Sequence, residues 1–474
     1  MNLSQTQIIS IAINSAIFLI LVLLSIILVN KIKLENKGYK YLFWLYTLFW
    51  MPIMLVRPYR GTMQNAIDPQ LTTFIIALYG LVGIFIRIFA DVISFLFKYR
   101  KAFLYFSVVA ELILFIPILI TPNTATNIVS TIGIGIGASC IGTYELLFKE
   151  QYGNKKAFLT VSVLSVPPLL ANFITAPVQS IMKTIATTNN KIDPQILKYM
   201  WIISAVLLVI TFIMLVFYKE KRMQVGLSNQ QKAINLHHDK KYDYIMFVFL
   251  AIIGSLIAFI KFSNSDALAT QHLQNLSTLN YGSQIPVASY EGYISVIFSL
   301  FQLVAGILMG LVLIRRINVI SIFCIGSSVW VVYLISSSFI SNPAWYFVIH
   351  SLNGFGYGIL YNLVLALVLK ISLDNKIITK MGIYQSILSI GIMCSGWFTG
   401  WIKESVIPSV GTTPTISLAQ YMHHYLIQNV VLMAVVVVMT ITFVFLIKGV
   451  NSKTKDFTLN IKQDELKVQN KVAN

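Results

Sequence analysis

The sequence predicts an all-α multi-span membrane protein with two pseudo-symmetric six-helix bundles and one extra N-terminal transmembrane helix. Three observations predict this class: the composition, the number of long apolar stretches, and their arrangement around a basic central segment. Of the 474 residues, 57% are hydrophobic and 11% are charged, and the mean hydropathy is +0.77. Soluble domains carry about 25% charged residues. The chain therefore has too few charges to cover the surface of a soluble protein.

The apolar stretches define the spans, since a helix needs about 18 or more apolar residues to cross a bilayer. The first stretch has no basic N-terminal region and no small-residue cleavage site, so we interpret it as a retained helix and not a signal peptide. About thirteen spans are predicted, at 8–29, 41–58, 72–97, 102–120, 126–148, 157–182, 198–218, 243–262, 290–313, 317–339, 344–369, 378–402 and 425–448.

Positive charges are distributed unevenly between the two sides of the predicted bundle. If the N-terminus lies outside, the inner segments hold 27 of the 35 Lys and Arg residues, and the outer segments and helix ends hold seven. Cytoplasmic loops carry such an excess of basic residues. We therefore expect a multi-pass plasma membrane protein with its N-terminus outside and its C-terminus in the cytoplasm. The net charge of +18 belongs to these loops and does not indicate nucleic-acid binding.

A polar, basic segment divides the chain into two parts of similar length. Two six-helix halves joined by a basic cytoplasmic loop are typical of secondary transporters. The predicted divisions are an extra helix at 1–40, bundles at 41–218 and 243–448, a cytoplasmic linker at 219–242, and a mobile cytoplasmic tail at 449–474.

Matched glycine runs support a duplication. The sequence GIGIG occupies 133–137 and GFGYG occupies 354–358, at an offset of 221 residues. No strand is predicted before either run, so we reject a nucleotide-binding interpretation. Each run also contains G-x-x-x-G, which lets helix backbones approach closely. We expect these glycines to serve helix packing.

Related residues occur at the end of the second helix of each half and just after it. They are Asp91, Arg100 and Lys101 in the first half, and Gly306, Gly310, Arg315 and Arg316 in the second. These positions resemble, with departures, the G-x-x-x-D-x-x-G-x-[RK]-[RK] signature of the major facilitator superfamily. Arg87 stands at the family's first glycine, and Gly310 replaces an acid.

The resemblance implies that Asp91 helps to latch the two halves on the cytoplasmic side and biases the protein between outward-open and inward-open states. Arg87 and Asp91 are also four residues apart on a helix and can pair, and Glu145 is a second possible partner for Arg87. A structural ion pair at a helix end is the alternative. The candidate gating residues are Arg87, Asp91, Glu145, Arg100, Lys101, Gly306 and Gly310.

The first helix of each half carries a cation at a similar depth. Tyr46, Trp50 and Arg57 share one face of the first helix, and Lys261 lies shortly before Asp266 in the other half. The chain here is similar to the organophosphate:phosphate antiporter branch of the superfamily, although Lys261 replaces an arginine. Two cations in one cleft suit an anionic organic phosphate. The alternative is that both side chains reach out to the lipid headgroups.

Glu111 lies in the middle of its predicted span. Hydrocarbon favours the protonated form of a carboxyl group, so Glu111 is a candidate for taking up and releasing protons. The alternatives are a permanently neutral acid that bonds to a neighbour, or a partner of Arg87.

The sequence predicts a transporter and not an enzyme. It contains no GxxxxGK[ST], HExxH or GxSxG pattern, and its three cysteines have no metal-ligand or disulfide spacing, so we expect no cofactor and no metal. We expect a secondary active transporter that works by alternating access. Its substrate is expected to be a small molecule, an anionic organic phosphate that it exchanges across the membrane. A proton-coupled carrier of a sugar, amino acid or drug is the alternative, and a non-transporting membrane sensor remains open.

Overall fold

The computed structural model describes residues 4–31, 37–152, 166–188, 191–220, 240–282, 288–371, 379–406 and 417–453. Almost all of these residues are helical, and the two strands form a single two-residue antiparallel pair, Thr187–Thr188 with Lys191–Ile192. Most of the predicted linker, and the tail beyond Lys453, lie outside the described residues.

The first half of the chain contains one leading helix followed by a helical bundle. Two short 3₁₀ turns, Arg57–Tyr59 and Pro69–Leu71, and the one-turn helix Pro194–Leu197 join the longer elements. The long helices are α1 (Gln5–Lys31), α2 (Lys37–Val56), α3 (Arg60–Ile67), α4 (Thr72–Phe97), α5 (Lys101–Ile120), α6 (Thr124–Ala138), α7 (Ile141–Tyr152), α8 (Val166–Ala186) and α9 (Tyr199–Phe217).

The second half has a similar series of helices. A π-helical segment, Met309–Leu313, and the one-turn helix Ile314–Arg316 extend its second span. The remaining helices are α10 (Lys240–Ser263), α11 (Ala267–Tyr281), α12 (Tyr293–Leu308), α13 (Val319–Phe339), α14 (Pro343–Ile371), α15 (Lys380–Val406) and α16 (Leu418–Lys453).

Every predicted span overlaps a helix or a pair of consecutive helices. Residues 157–165 of the sixth predicted span and residue 378 of the twelfth lie outside the described residues. Among the described residues, ten helical stretches are long and apolar enough to cross a membrane, and α12 is a shorter apolar helix. The helices α2 and α8 occupy the two remaining predicted spans. The prediction of an all-α multi-span membrane protein is confirmed.

Three spans are less regular than the sequence suggested. The span predicted at 126–148 is divided between α6 and α7, because the chain turns at Ser139–Cys140. The first helix of each half is also broken, after Val56 and after Ser263. At the second break Asp266 has φ of +55°, a backbone conformation that costs a non-glycine residue about 1–3 kcal/mol.

Glycines let helices of the two halves pack closely. The helix α15 packs along α4, and α12 packs against α8. A Cβ atom built on Gly80 would lie 2.3 Å from the backbone nitrogen of Met393, and one on Gly396 would lie 2.8 Å from that of Ala77. The glycine runs pack within their own halves, as expected: a Cβ atom on Gly354 would lie 2.1 Å from the carbonyl oxygen of Phe298.

Candidate functional site

A cavity of about 110 Å³ lies between the two halves. All five predicted substrate-binding residues line it, and so do Arg87 and Glu145 among the predicted gating residues. Its polar and aromatic lining comprises Tyr46, Trp50, Arg57, Tyr79, Arg87, Glu145, Asn172, Lys261, Phe262, Ser265, Asp266, Ser295, Phe298, Ser299, Gln302, His350, Tyr357, Tyr361 and Gln385.

An ion pair crosses between the halves at one end of this cavity. The Nη2 atom of Arg57 lies 2.6 Å from Oδ1 of Asp266, and the Nζ atom of Lys261 lies 3.8 Å from Oδ2 of the same residue. Both breaks described above bring these groups together, because Arg57 follows the end of α2 and Asp266 immediately precedes α11. Burial strengthens the attraction between the charges. Because the side chains of Arg57 and Lys261 are largely buried and line the cavity, they point into the protein and do not reach out to lipid headgroups.

Aromatic rings surround the ammonium group of Lys261. Its Nζ atom lies 4.1 Å from the ring centre of Phe262, 5.0 Å from that of Tyr357 and 5.5 Å from that of Phe298. Cations are attracted to the faces of such rings. The rings offset part of the cost of burying the ammonium group, and Asp266 is its one ion-pair partner among the described residues.

Arg60 is a third cation near Asp266 that the sequence analysis did not assign to the site. Its side chain is 1% exposed, and its guanidinium carbon lies 4.8 Å from the ring centre of Tyr79, behind the cavity wall. Its position three residues after Arg57, in a helical turn, was the signal available in the sequence. Arg57, Arg60 and Lys261 together carry three positive charges against the single negative charge of Asp266.

A polar network joins the halves at the other end of the cavity. Nη1 of Arg87 donates to the backbone oxygen of Gln385 at 2.6 Å and to its Oε1 at 3.0 Å. Nε2 of Gln385 donates to Oε2 of Glu145 at 3.0 Å, and the hydroxyl of Tyr361 donates to Oε1 of Glu145 at 3.4 Å. Arg87 and Glu145 are thus connected through a glutamine of α15.

Asp91 binds a different part of the second half and does not pair with Arg87. Its Oδ2 atom accepts hydrogen bonds from the backbone nitrogen of Thr379 at 2.8 Å and from Oγ1 of the same residue at 2.7 Å. Only glycine fits at position 382 beside this carboxylate, because a Cβ atom on Gly382 would overlap Oδ2 of Asp91. The predicted (i, i+4) ion pair is replaced by contacts with α15 and the residue before it, since both side chains face that helix.

The two ends of the cavity, one with the Arg57–Asp266 ion pair and the other with Asp91, lie at different positions along α4. Asp91 lies twelve residues, about 18 Å, beyond Tyr79 on that helix, and Tyr79 contacts Arg57. We call them the Arg57 end and the Asp91 end.

The other predicted gating residues make contacts within their own halves. The backbone nitrogens of Arg100 and Lys101 donate to the carboxylate of Glu220 at 2.9 and 2.8 Å, which satisfies free amides at the start of α5. Gly306 faces Asn362, whose Nδ2 atom would lie 2.5 Å from an added Cβ atom. Gly310 lies in the π-helical segment.

Glu111 lies away from the cavity. Its carboxylate is fully buried, has no hydrogen-bond partner among the described residues, and would lie 2.2 Å from a Cβ atom on Gly137. It faces the contact between α5 and α6, so any effect of its protonation on the cavity would pass through helix packing.

Comparison with solved structures identifies the arrangement of the helices. The chain is similar to the proton:xylose symporter XylE of the major facilitator superfamily (TM-score 0.59, 12% identity, 86% of this chain and 95% of that chain). It is equally similar to the nucleoside transporter NupG (TM-score 0.59, 12% identity, 86% of this chain and 99% of that chain). The chain has the major facilitator fold. No protein-family model and no curated protein sequence matches the chain, so the likeness establishes the fold alone.

The sequence predicts the charged residues of the cavity but not the uncharged groups of the second half that bind Arg87, Glu145 and Asp91. Gln385 and Thr379 were both missed. Each is an uncharged polar residue in or beside an apolar span, and such residues also serve ordinary helix packing. Their importance comes from the partners Arg87, Glu145 and Asp91, which lie 240 to 298 residues away in the chain.

Proposed function

We propose that the protein is a secondary active transporter that works by alternating access and exchanges an anionic organic phosphate. The single observation that carries the proposal is the convergence of Arg57 and Lys261, one from each half, on one cavity with Asp266 between them. The resemblance to the antiporter branch and the likeness to solved transporters support the same class. We further propose that it lies in the plasma membrane with the Arg57 end outside.

The charge balance favours an anionic substrate. At the Arg57 end, three cations and one carboxylate leave two uncompensated positive charges, while Arg87 and Glu145 at the opposite end of the cavity balance each other. A phosphate dianion would neutralise the two remaining charges. Arg57 can bind two phosphate oxygens at once, whereas Lys261 acts as a point charge. In this proposal Asp266 holds the cations while the cavity is empty, and the substrate replaces it.

Replacement of Asp266 links binding to movement. The Arg57–Asp266 pair joins the two halves, so a ligand that takes over Arg57 weakens one of the contacts that close the Arg57 end. The network around Gln385 and the Asp91–Thr379 hydrogen bonds close the Asp91 end. A substrate shifts such an equilibrium only through its different affinity for the two states.

Proton-coupled transport of an uncharged molecule is the second candidate. Its support is Glu111, a buried carboxyl group without a hydrogen-bond partner among the described residues, together with Glu145 on the cavity wall. A proton on either group would remove a charge from the low-dielectric interior.

Ligand-dependent thermal stability tests the substrate class, because a ligand that binds the folded state raises its apparent stability. Purified protein would be heated with glycerol 3-phosphate or glucose 6-phosphate, and with glycerol or glucose. We expect stabilisation by the phosphate esters alone, retained in the exposed-cation control Lys191→Ala and lost in Arg57→Ala. Stabilisation of Arg57→Ala by the esters, or equal stabilisation by glucose, would contradict the anion proposal.

A further inference from the structure

The leading helix α1 binds the first half through a polar side chain. Nε2 of Gln7 donates to the backbone oxygens of Thr184 and Thr187, at 2.9 and 3.2 Å. These acceptors lie at the C-terminal end of α8 and just after it, where helix carbonyls lack partners within the helix. The rest of α1 packs along α8 and exposes leucine and isoleucine side chains on its other face.

The same helix also binds the second half. Nδ2 of Asn14 donates to the backbone oxygen of Ser289 at 3.1 Å, and the hydroxyl of Tyr293 donates to Oδ1 of Asn14 at 2.6 Å. Asn14 is 3% exposed, although it belongs to an otherwise apolar helix. A buried asparagine amide is costly in hydrocarbon unless it is hydrogen-bonded. The hydrogen bonds with Ser289 and Tyr293 therefore stabilise the arrangement in which this segment lies beside α1.

That segment carries a buried charge that meets the first half. Oε1 of Glu291 lies 3.4 Å from Nζ of Lys183 on α8, and both side chains are fully buried. Nε2 of Gln274 donates to Oε2 of Glu291 at 2.9 Å, and the ring centre of Tyr59 lies 5.9 Å from Nζ of Lys183. Since Tyr59 belongs to the same 3₁₀ turn as Arg57, this ion pair lies at the Arg57 end.

The halves are in close contact beside the ion pair. A Cβ atom on Gly292 would lie 2.6 Å from the backbone oxygen of Ala176. Opening this end would separate α8 from α12 and leave Lys183 and Glu291 unpaired, which is unfavourable for buried charges. It would also move Ser289 and Tyr293 away from Thr184 and Thr187, which α1 holds at a fixed spacing through Gln7 and Asn14.

We infer that α1 is a clamp across the seam between α8 and α12, and that it holds the Lys183–Glu291 pair together at the Arg57 end. The clamp shifts the protein towards the state that is closed at that end. This inference rests on the alternating movement of the two halves in the proposed function, but it does not depend on the substrate. A helix that served only as a lipid anchor would need neither Gln7 nor Asn14.

The distance between the halves at the Arg57 end tests the clamp without any ligand. Spin labels would be attached at Gln195→Cys and Tyr281→Cys, both at exposed positions, in protein whose three native cysteines are replaced by serine or alanine. Double electron–electron resonance in lipid nanodiscs would then give the distribution of distances. The variants are Gln7→Leu with Asn14→Leu, and separately Tyr293→Phe, which removes one hydroxyl group. Ser15→Leu is the matched control, because Ser15 is exposed and bonds only within α1.

We expect Tyr293→Phe to increase the ratio of separated to closed molecules about threefold, as the loss of one hydrogen bond predicts. The double variant loses four hydrogen bonds between α1 and the two halves, and we expect it to increase the ratio at least about tenfold. Ser15→Leu should leave the distribution unchanged. Unchanged distributions in Tyr293→Phe and in the double variant would overturn the inference, and Tyr293→Phe alone decides the matter if the double variant does not fold. Because no ligand is present, this result stands apart from the phosphate-ester test.

Discussion

At the scale of single residues, Asp266 has the largest influence on the cavity. It is the shared partner of Arg57 and Lys261, and it holds a backbone conformation that is unfavourable for a side chain other than glycine. Strained residues of this kind cluster at functional sites. The strain is maintained because the carboxylate stabilises two buried cations.

Asp266→Asn should therefore lower the free energy of unfolding by about 3 kcal/mol in the absence of ligand, since it leaves buried charges without a counter-ion. The same variant should show a larger thermal shift with glycerol 3-phosphate than wild type, because the ester no longer competes with a carboxylate. Differential scanning fluorimetry measures both effects. The double variant Arg57→Gln, Asp266→Asn should recover stability without recovering the ligand shift. A smaller ligand shift in Asp266→Asn would contradict a competing role for Asp266.

At the Asp91 end, Gln385 links charged groups as Asp266 does at the Arg57 end. Its side chain and backbone connect Arg87 with Glu145. An apolar replacement removes the side-chain hydrogen bonds to both charged groups and leaves Arg87 only the backbone oxygen of residue 385. Gln385→Leu should lower stability by about 1–3 kcal/mol and open the Asp91 end. A cysteine introduced at position 142 would report the opening. A membrane-impermeant maleimide should label this cysteine more strongly in Gln385→Leu than in the protein with Gln385. Ser389→Ala, one turn further along α15, is the control, because Ser389 donates only to the Gln385 backbone.

At the scale of helices, the pair α4 and α15 forms a long, close contact between the halves. Gly80 and Gly396 permit it, since an added Cβ atom at either position would overlap backbone atoms of the facing helix. The contact reaches from the Thr73–Gly400 approach to the Asp91–Gly382 approach. Such smooth surfaces let two helices separate and close without interlocked side chains.

Gly80→Ala should therefore destabilise the protein by about 1–3 kcal/mol through overpacking and reduce transport. Gly142→Ala is the matched control, because its Cβ atom would meet only the side chain of Gln385, at 3.4 Å. Thermal unfolding and uptake into proteoliposomes would be measured for both variants. Equal effects of the two substitutions would contradict the importance of the close approach at Gly80.

At the scale of the whole molecule, the two ends of the cavity are closed by different chemistry. Buried ion pairs, Arg57–Asp266 and Lys183–Glu291, cross the seam at the Arg57 end. Hydrogen bonds between a charged and an uncharged group cross it at the Asp91 end: Arg87 donates to Gln385, and Thr379 donates to Asp91. An anionic ligand in the cavity competes directly with Asp266 but not with the amide and hydroxyl groups at the opposite end.

If the protein exchanges an organic phosphate for inorganic phosphate, phosphate inside the vesicle should drive uptake of the organic phosphate. Proteoliposomes loaded with inorganic phosphate should accumulate labelled glycerol 3-phosphate at least tenfold faster than empty ones, an order of magnitude that corresponds to about 1.4 kcal/mol of barrier. A protonophore should not abolish this exchange, and Glu111→Gln should retain it because Glu111 lies away from the cavity. Loss of uptake on adding the protonophore, and in Glu111→Gln, would instead favour proton-coupled transport.

The sequence by itself determined the class of protein, the approximate position of the described spans and seven of the residues that line the cavity. Apolar length and basic loops are local properties of a chain in a bilayer, so they can be read without a fold. The convergence of Arg57 and Lys261 was also predicted, because a duplicated chain places its first helices in equivalent positions.

Only the tertiary structure decided which charged group meets which partner. Asp91 binds Thr379 and not the nearby Arg87, Arg60 joins the charges around Asp266, and α1 connects Thr184 with Ser289. Each of these contacts joins residues that are distant in sequence, and each side chain had a plausible local partner or lipid-facing alternative. Helix packing selects among such alternatives, since a buried polar group must find its partner wherever the fold places one.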